Sequence, residues 1–430
     1  MAAPFIVTTL VTFVAWAFAA MLSHSLSDAA TLSTSVWLAT GITFGALLVV
    51  KAPRRPAVLL GAAVATMLLG LLDGLSVLQA LGFGVNEVLS AGLGAWLAQR
   101  LRAAGPGGRA EPGKAYVGLL LGALLTAALG ASVALMLWNW VLPEQVELAT
   151  EWRVWFCTTV VGILLITPLI LSFAGFRIKR SGGMGTGQFL AGAGTFLMFF
   201  VVATLIFSSD VSDRFGASLG PTLTYLPLPF IVVTAILWKE RGATLATLVA
   251  ALALIAWTNA GGGPFSEIEG FKGEAVIEVQ GYVAVMALLV GVVNALGATA
   301  AQALADAQDW RTRYRQVLDS NRTVVVNFDA LTGQARWGEG ASELMRTDAA
   351  NLMTVHDFIA HADPAEQPAL LADWRDLTQG QRDHALWKNT LRWRDGKAVS
   401  TDTRLSGVRG ADGRVEQVAA LLEVEAPHGS

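Results

Sequence analysis

Residues Val292–Ser320, VVNALGATAAQALADAQDWRTRYRQVLDS, decide the fold, because the chain changes character inside them. Before about residue 303 the sequence is a series of long apolar blocks joined by short basic or polar connections; after it the chain is rich in Asp, Arg and Gln. Val293, Leu296, Ala300, Ala303, Ala307, Trp310, Tyr314 and Val317 stand alternately three and four apart, with Asp306, Gln308, Asp309, Arg311, Arg313 and Arg315 around them. That repeat is a coiled-coil seam. A single amphipathic helix packed on its own domain is the alternative, but the repeat starts within the last apolar block and continues unbroken, which favours a parallel homodimer. The expected organisation is a membrane domain over 1–302, a signalling helix over 303–320, a soluble domain over 321–424 and a tail over 425–430.

Composition agrees with a membrane domain: hydrophobic residues make up 54% of the 430 and charged ones 15%, unusual for a soluble chain. A helix needs about 20 apolar residues to cross a bilayer, and ten segments qualify or come close: 4–22, 33–50, 56–72, 77–99, 115–142, 154–176, 187–208, 222–238, 243–259 and 276–302. Alternate loops hold Lys51, Arg54 and Arg55; Arg100, Arg102, Arg109 and Lys114; Arg177, Lys179 and Arg180; Lys239 and Arg241. The intervening loops offer only Arg153, Arg214 and Lys272. Basic residues mark cytoplasmic loops, so ten spans with both termini cytoplasmic are expected. Without a positive n-region or a cleavage site, Phe5 to Leu22 reads as a retained span. Cys157 is the only cysteine, which rules out a disulfide framework and a multi-cysteine metal site. A net charge of −3 gives no reason to expect a nucleic-acid partner.

The soluble part reads as mixed α/β. Val324–Phe328 and Gln334–Trp337 are strands around a turn, Pro364–Leu377 is a helix, and 383–394, 397–408 and 414–424 are three strands joined at Asp395-Gly396 and Asp412-Gly413. This order predicts a five-stranded antiparallel sheet with helices across one face, and it resembles a PAS domain. FIAHADPAEQPALLADWRDLTQG (358–380) is similar to the family's His-Pro-x-Asp segment, while WRDGKAV (393–399) and GADGRVEQVAALLEV (410–424) are similar to its last hairpin. Glu423-Val424-Glu425 stands where the family usually has Asp-Ile-Thr. With no cysteine in this part, a flavin–cysteinyl adduct is excluded, and His356, His361 and His384 are not spaced as metal ligands. Phe328, Trp337, Leu344, Phe358, Trp374, Trp387 and Trp393 suffice to fill a small core, so no cofactor is expected.

In the membrane part, VWLATGITFGALLV (36–49), GVNEVLSAGLGAWLAQRL (84–101), EWRVWFCTTVVGILLITPLIL (151–171), YLPLPFIVVTAILWKERGATLA (225–246) and GGGPF (261–265) resemble, in order, motifs of the first membrane-associated sensor family of bacteria (the MASE type-one domain). This family's spans precede PAS domains, histidine kinases and cyclic-di-GMP enzymes. Its Asp three residues before the glycine of the Trp-rich span is Thr159 here. Ionisable groups in a bilayer cost about 2.5–3.5 kcal/mol or more and face the bundle interior or a water-filled cavity, so Asn86 and Glu87 are interhelical hydrogen-bonding groups, part of a ligand- or proton-responsive input site, or a transport site. Asn139, Asn294 and Arg153 are their expected neighbours by depth. The remaining candidates for ligand sensing are Trp37, Gly41, Trp152, Trp155, Pro168, Gly263, Pro264 and Phe265. Trp138, Trp140, Trp152 and Trp155 form either an aromatic belt or the rim of an outward-facing pocket. Gly82, Gly84, Gly92 and Gly94 permit close helix approach, and Pro168 and Pro229 are expected to kink their spans.

No phosphate loop, phosphoacceptor histidine region or cyclase signature is present, so no catalytic domain is expected in this chain. What the resemblances imply is a bacterial inner-membrane sensor that passes a small-molecule or membrane-protein input through a dimeric helix to a cytoplasmic PAS domain. Its output kinase or cyclase would lie on a C-terminal continuation or a separate protein. The alternatives are a transporter with a regulatory PAS tail, disfavoured because the two halves show no internal repeat, and a partner-docking scaffold.

Overall fold

Helix α4 (Val77–Arg102) shows how the first part of the chain is built. Leu78, Leu81, Val85, Leu89, Leu93 and Trp96 are exposed along one face, while Ala80, Gly84, Glu87, Ala91, Gly94 and Ala98 are buried on the other. Large apolar groups outward and small ones inward is the pattern of a helix packed among neighbours inside lipid. Ser76 starts the helix: its backbone N–H and hydroxyl both donate to Gln79 Oε1 at 2.7 Å.

The computed structural model describes residues 2–27, 34–102, 111–139, 148–175, 184–208, 223–265, 274–320, 322–338, 341, 352–392 and 398–424. Several expectations lie outside them: the basic residues Arg109, Arg177, Lys179 and Arg180, the loop residues Arg214 and Lys272, Trp140, Leu344, Trp393 and the Asp395-Gly396 turn. The chain divides into two units, Met1–Ala301 and Gln302–Ser430.

In the first unit α4 is joined by α1 (Ala2–Ser25), α2 (Leu38–Val49), α3 (Arg55–Leu72), α5 (Pro112–Asn139), α6 (Leu148–Phe173), α7 (Thr186–Phe207), α8 (Leu228–Asn259) and the part of α9 (Glu274–Ser320) up to Ala301. Among the described residues seven helices are long and apolar enough to cross a membrane: α1, α3, α5, α6, α7, α8 and α9. The ten expected spans thus meet a different pattern. Gln79, Asn86 and Glu87 reduce the apolarity of α4. The eighth and ninth expected spans are two arms of α8, which breaks where Lys239 takes φ 56° and ψ −168°, a conformation costly for a residue with a Cβ. The eighth starts at Leu228, after the turn at Pro227, and not at 222.

The second span starts at Leu38, not 33, and α2 has only 12 residues. Ahead of it the chain is non-helical and held by groups from elsewhere. Leu38 N donates to Ser23 Oγ at 3.0 Å, Trp37 N to Thr158 O at 3.2 Å, and Gln280 Nε2 to Ser35 O at 3.1 Å. Irregular backbone within a membrane domain is tolerated only where protein or a cavity satisfies it, and Ser35 and Val36 are fully buried. Gly162 on α6 makes room for this crossing, since a Cβ there would collide with Trp37 O. Gly94 likewise admits α5. Gly92 departs from expectation, having no heavy atom within 4 Å of a Cβ placed on it. Pro168 sits inside a continuous α6.

The second unit carries strands β1 (Thr323–Asp329), β2 (Ala335–Trp337), β3 (His384–Arg392), β4 (Ala398–Arg409) and β5 (Val415–Val424) in the order β2-β1-β5-β4-β3, every pairing antiparallel. Between β2 and β3 come α10 (Val355–Ala360), started by the Thr354–Asp357 capping box, and α11 (Gln367–Thr378). Helix α11 begins three residues later than the expected Pro364, because Asp363 Oδ1 accepts from Ala365 N at 3.2 Å in a turn. Phe328, Val418, Ala420 and Leu422 on the sheet are buried with Phe358, Leu370, Trp374 and Leu377 from the helices. The sheet order with its helical crossover is that of a PAS domain.

Candidate functional site

Glu87 is 7% exposed, and its carboxylate gathers three donors. Trp16 Nε1 on α1 donates to Oε1 at 3.2 Å, Thr43 Oγ1 to Oε1 at 2.6 Å and Thr40 Oγ1 to Oε2 at 2.8 Å. Thr40 and Thr43, three apart on α2, present both hydroxyls to the same acid. Beside it Asn86 Nδ2 donates to Gly130 O on α5 at 3.0 Å. These two residues therefore tie α4 to α1, α2 and α5.

Asn86 and Glu87 also line a cavity of about 470 Å³ walled by residues of α1 to α6, within the range of small-molecule sites. Trp16, Trp37, Phe83, Trp138 and Trp155 supply its rings, and His24, Asp73 and Glu151 its other titratable groups. Trp37 sits between Trp16 and His24, edge-on to both, with ring centroids 5.9 and 5.5 Å away. Phe83 stacks on Trp155 at 6.2 Å. Thr159, at the position where the sensor family has Asp, is on the wall, as is Thr158.

Of the candidate residues, then, Trp37, Asn86, Glu87 and Trp155 come together at one cavity. Trp152 is not among its lining residues; its Nε1 donates to Ser132 Oγ at 3.2 Å and its ring stacks on Phe156. Gly41 lies against α6, where a Cβ would stand 2.5 Å from Gly162 O, so its role is packing. Gly263, with φ +84°, and the buried Pro264 place Phe265 against Phe207 and Tyr282, away from the cavity wall. The expected partners of Glu87 are replaced by others: Asn294 lies on α9 and Arg153 is exposed, whereas Trp16, Thr40 and Thr43 hold the acid. The side chain of Asn139 is outside the described residues.

Sequence reasoning also missed Gln280 on α9, fully buried, whose Nε2 donates to Thr158 Oγ1 at 2.8 Å as well as to Ser35 O. On the seam, Leu296, Trp310, Tyr314 and Val317 are 54–73% exposed, and Ala300, Ala303 and Ala307 are exposed with them. In the second unit Trp387, Asn389 and Thr403 bring four buried polar atoms that have no partner among the described residues to the inner face of the sheet, so that face is less apolar than its aromatic residues suggest. His361 Nδ1 contacts Asp357 O at 2.8 Å and His384 Nδ1 contacts Ser406 Oγ at 3.0 Å.

Residues 7–298 match the MASE1 family, and the chain belongs to that family. Behind this membrane domain the chain carries a five-stranded antiparallel sheet in the strand order of the PAS fold, and the MASE1 match supports a membrane sensor or signalling role. A search of curated proteins returned no match. Solved structures similar to this chain include a domain of a light and redox sensing histidine kinase from Haloarcula marismortui, at 13% identity over 27% of this chain and 99% of that one, TM-score 0.23. A sensory box histidine kinase/response regulator from Burkholderia thailandensis is 12% identical over 26% of this chain and 83% of that one, TM-score 0.21. An RNA-binding light-oxygen-voltage receptor is 17% identical over 25% of this chain and 31% of that one, TM-score 0.21.

Proposed function

We propose that the protein is a bacterial inner-membrane sensor that reads a small molecule in the cavity between α1 and α6. Helix α9 carries the response, as a parallel dimer, to a cytoplasmic PAS domain, and a histidine kinase or cyclic-di-GMP enzyme acts on it. No catalytic step is assigned to this chain. The observation that supports this most is Gln280: one buried amide on the output helix bonds both Thr158 on the cavity wall and the segment leading to Trp37. Whatever displaces that wall acts directly on α9.

The test needs no ligand. Thr159→Trp fills the cavity from its wall, and the rate of disulfide crosslinking at Ala303→Cys, in a Cys157→Ser background, reports on the seam. The filled cavity should change that rate in the full chain in nanodiscs, and Gln280→Leu should remove the change. An unchanged rate with the cavity filled would count against the sensor reading.

A further inference from the structure

The charge of the cavity wall is one-sided. Among the described lining residues Asp73, Glu87 and Glu151 contribute carboxyl groups, His24 is the one basic side chain, and there is neither lysine nor arginine. Asp73 caps the C-terminal end of α3 and Glu151 lies in the first turn of α6. Because consecutive helices on short connections run antiparallel, these two stand at the same end of the bundle as His24 near the end of α1 and Trp138 near the end of α5. Glu87 is ten residues into α4, about 15 Å from its start. The carboxyl groups thus mark a mouth and a floor, with aromatic rings between them.

An anion would meet carboxyl groups with no lysine or arginine among the described lining residues, and a neutral apolar molecule would leave the unused acceptor sites of Glu87 without a partner. An ammonium group meets both demands, pairing with carboxylate and resting against ring faces. Glu87 also has capacity left: Oε1 accepts two bonds and Oε2 one, whereas a carboxylate offers about four acceptor sites.

We infer that the cavity binds an organic ammonium ion, its charged head at Glu87 and its body among Trp16, Trp37 and Phe83. The inference rests on the cavity being the sensor's input site, and it adds the chemical class of the ligand.

Two cationic probes with matched controls test it on the full chain in nanodiscs, read by tryptophan emission and by melting temperature. They are choline against its neutral carbon isostere 3,3-dimethylbutan-1-ol, and 2-phenylethylammonium against 2-phenylethanol and 3-phenylpropanoate. Saturable emission changes and stabilisation are expected from at least one cation and from no control. Glu87→Gln should weaken that binding tenfold or more, and Asp73→Asn, an exposed change that leaves the packing intact, several-fold. If Glu87→Gln does not fold, Asp73→Asn still decides. Equal binding of the neutral or anionic analogues, or binding indifferent to both substitutions, would overturn the ammonium assignment while leaving the crosslinking test of the sensor reading untouched. Silence from every probe would overturn it too.

Discussion

Removing one hydroxyl, in Thr43→Val, tests whether Glu87 is the hub of the helix contacts around it. Thr43 is fully buried, and its hydroxyl donates to Glu87 Oε1 at 2.6 Å. Hydrogen bonds to charged groups are worth about 1.5–3 kcal/mol in water-soluble proteins. Between membrane helices measured couplings average about 0.6 and reach about 1.7 kcal/mol. The short distance and the acidic acceptor put this bond near the upper end of the membrane range, at about 1–1.7 kcal/mol. Oε1 would still accept from Trp16, so the substitution removes one bond without stranding the acid. Glu87→Met should cost more, about 3 kcal/mol, because it leaves three donors without their acceptor. With Glu87→Met in place, Thr43→Val should cost almost nothing, giving a coupling close to the whole single-mutant loss. Equilibrium unfolding of the full chain in mixed micelles, followed by tryptophan emission, measures all four corners of the cycle. A Thr43→Val cost that is the same in both backgrounds to within about 0.5 kcal/mol, the limit of ordinary additivity, would refute the hub.

Gly162→Ala should destabilise the first unit by about 1–3 kcal/mol, the usual result of overpacking. Its new methyl group would strike Trp37 O, so a changed Trp37 environment should accompany the lower melting temperature. Cysteines at Ala303 and Ala307 should crosslink two copies, whereas one at Ala305, off the seam, should not; equal crosslinking at all three would refute the parallel dimer. In the PAS domain the hydrogen bond from Arg409 holds the Asp383 carboxyl below its ordinary range, and Ala365 N–H followed by Arg392 does the same for Asp363. A depressed folded-state pKa stabilises above the unfolded value, near 3.9, and is lost as pH falls through the folded one. Melting of this domain should therefore steepen below about pH 4, and Asp383→Asn should flatten that limb.

The sequence makes one face of α4 and the strand alternation legible because both are periodic. Leu78 to Trp96 and Val324, Val326 and Phe328 repeat at the spacing of their element. The Asp412-Gly413 pair forms its turn with Gly413 at φ +80°, so that hairpin is readable as well. Glu87 stands out because a carboxylate in an apolar block is conspicuous. Its partners do not: Trp16 is 71 residues away and Thr43 is 44 away, and threonines pass unnoticed among apolar residues. Nor does composition reveal where α2 starts. Ser35, Val36 and Trp37 read like the helix that follows, and it is Ser23, Thr158 and Gln280, distant in sequence, that hold this segment and the start of α2 in place.

How much signal Gln280 can carry is bounded by its own bonds. Each of its two hydrogen bonds is neutral and buried, and losing a partner at such a site costs about 1–3 kcal/mol. A ligand that shifts Thr158 can therefore bias α9 by no more than about that amount through this contact. The figure is also the usual size of allosteric coupling, about 1–3 kcal/mol or 5–150-fold. Gln280 Oε1 has no partner among the described residues, so the amide has a spare acceptor with which to take up a second arrangement when the wall moves. A group with one arrangement only would be structural glue. A buried amide that holds the cavity wall by its nitrogen while its oxygen has no partner among the described residues is suited to two, and two arrangements are what the proposed role of α9 requires.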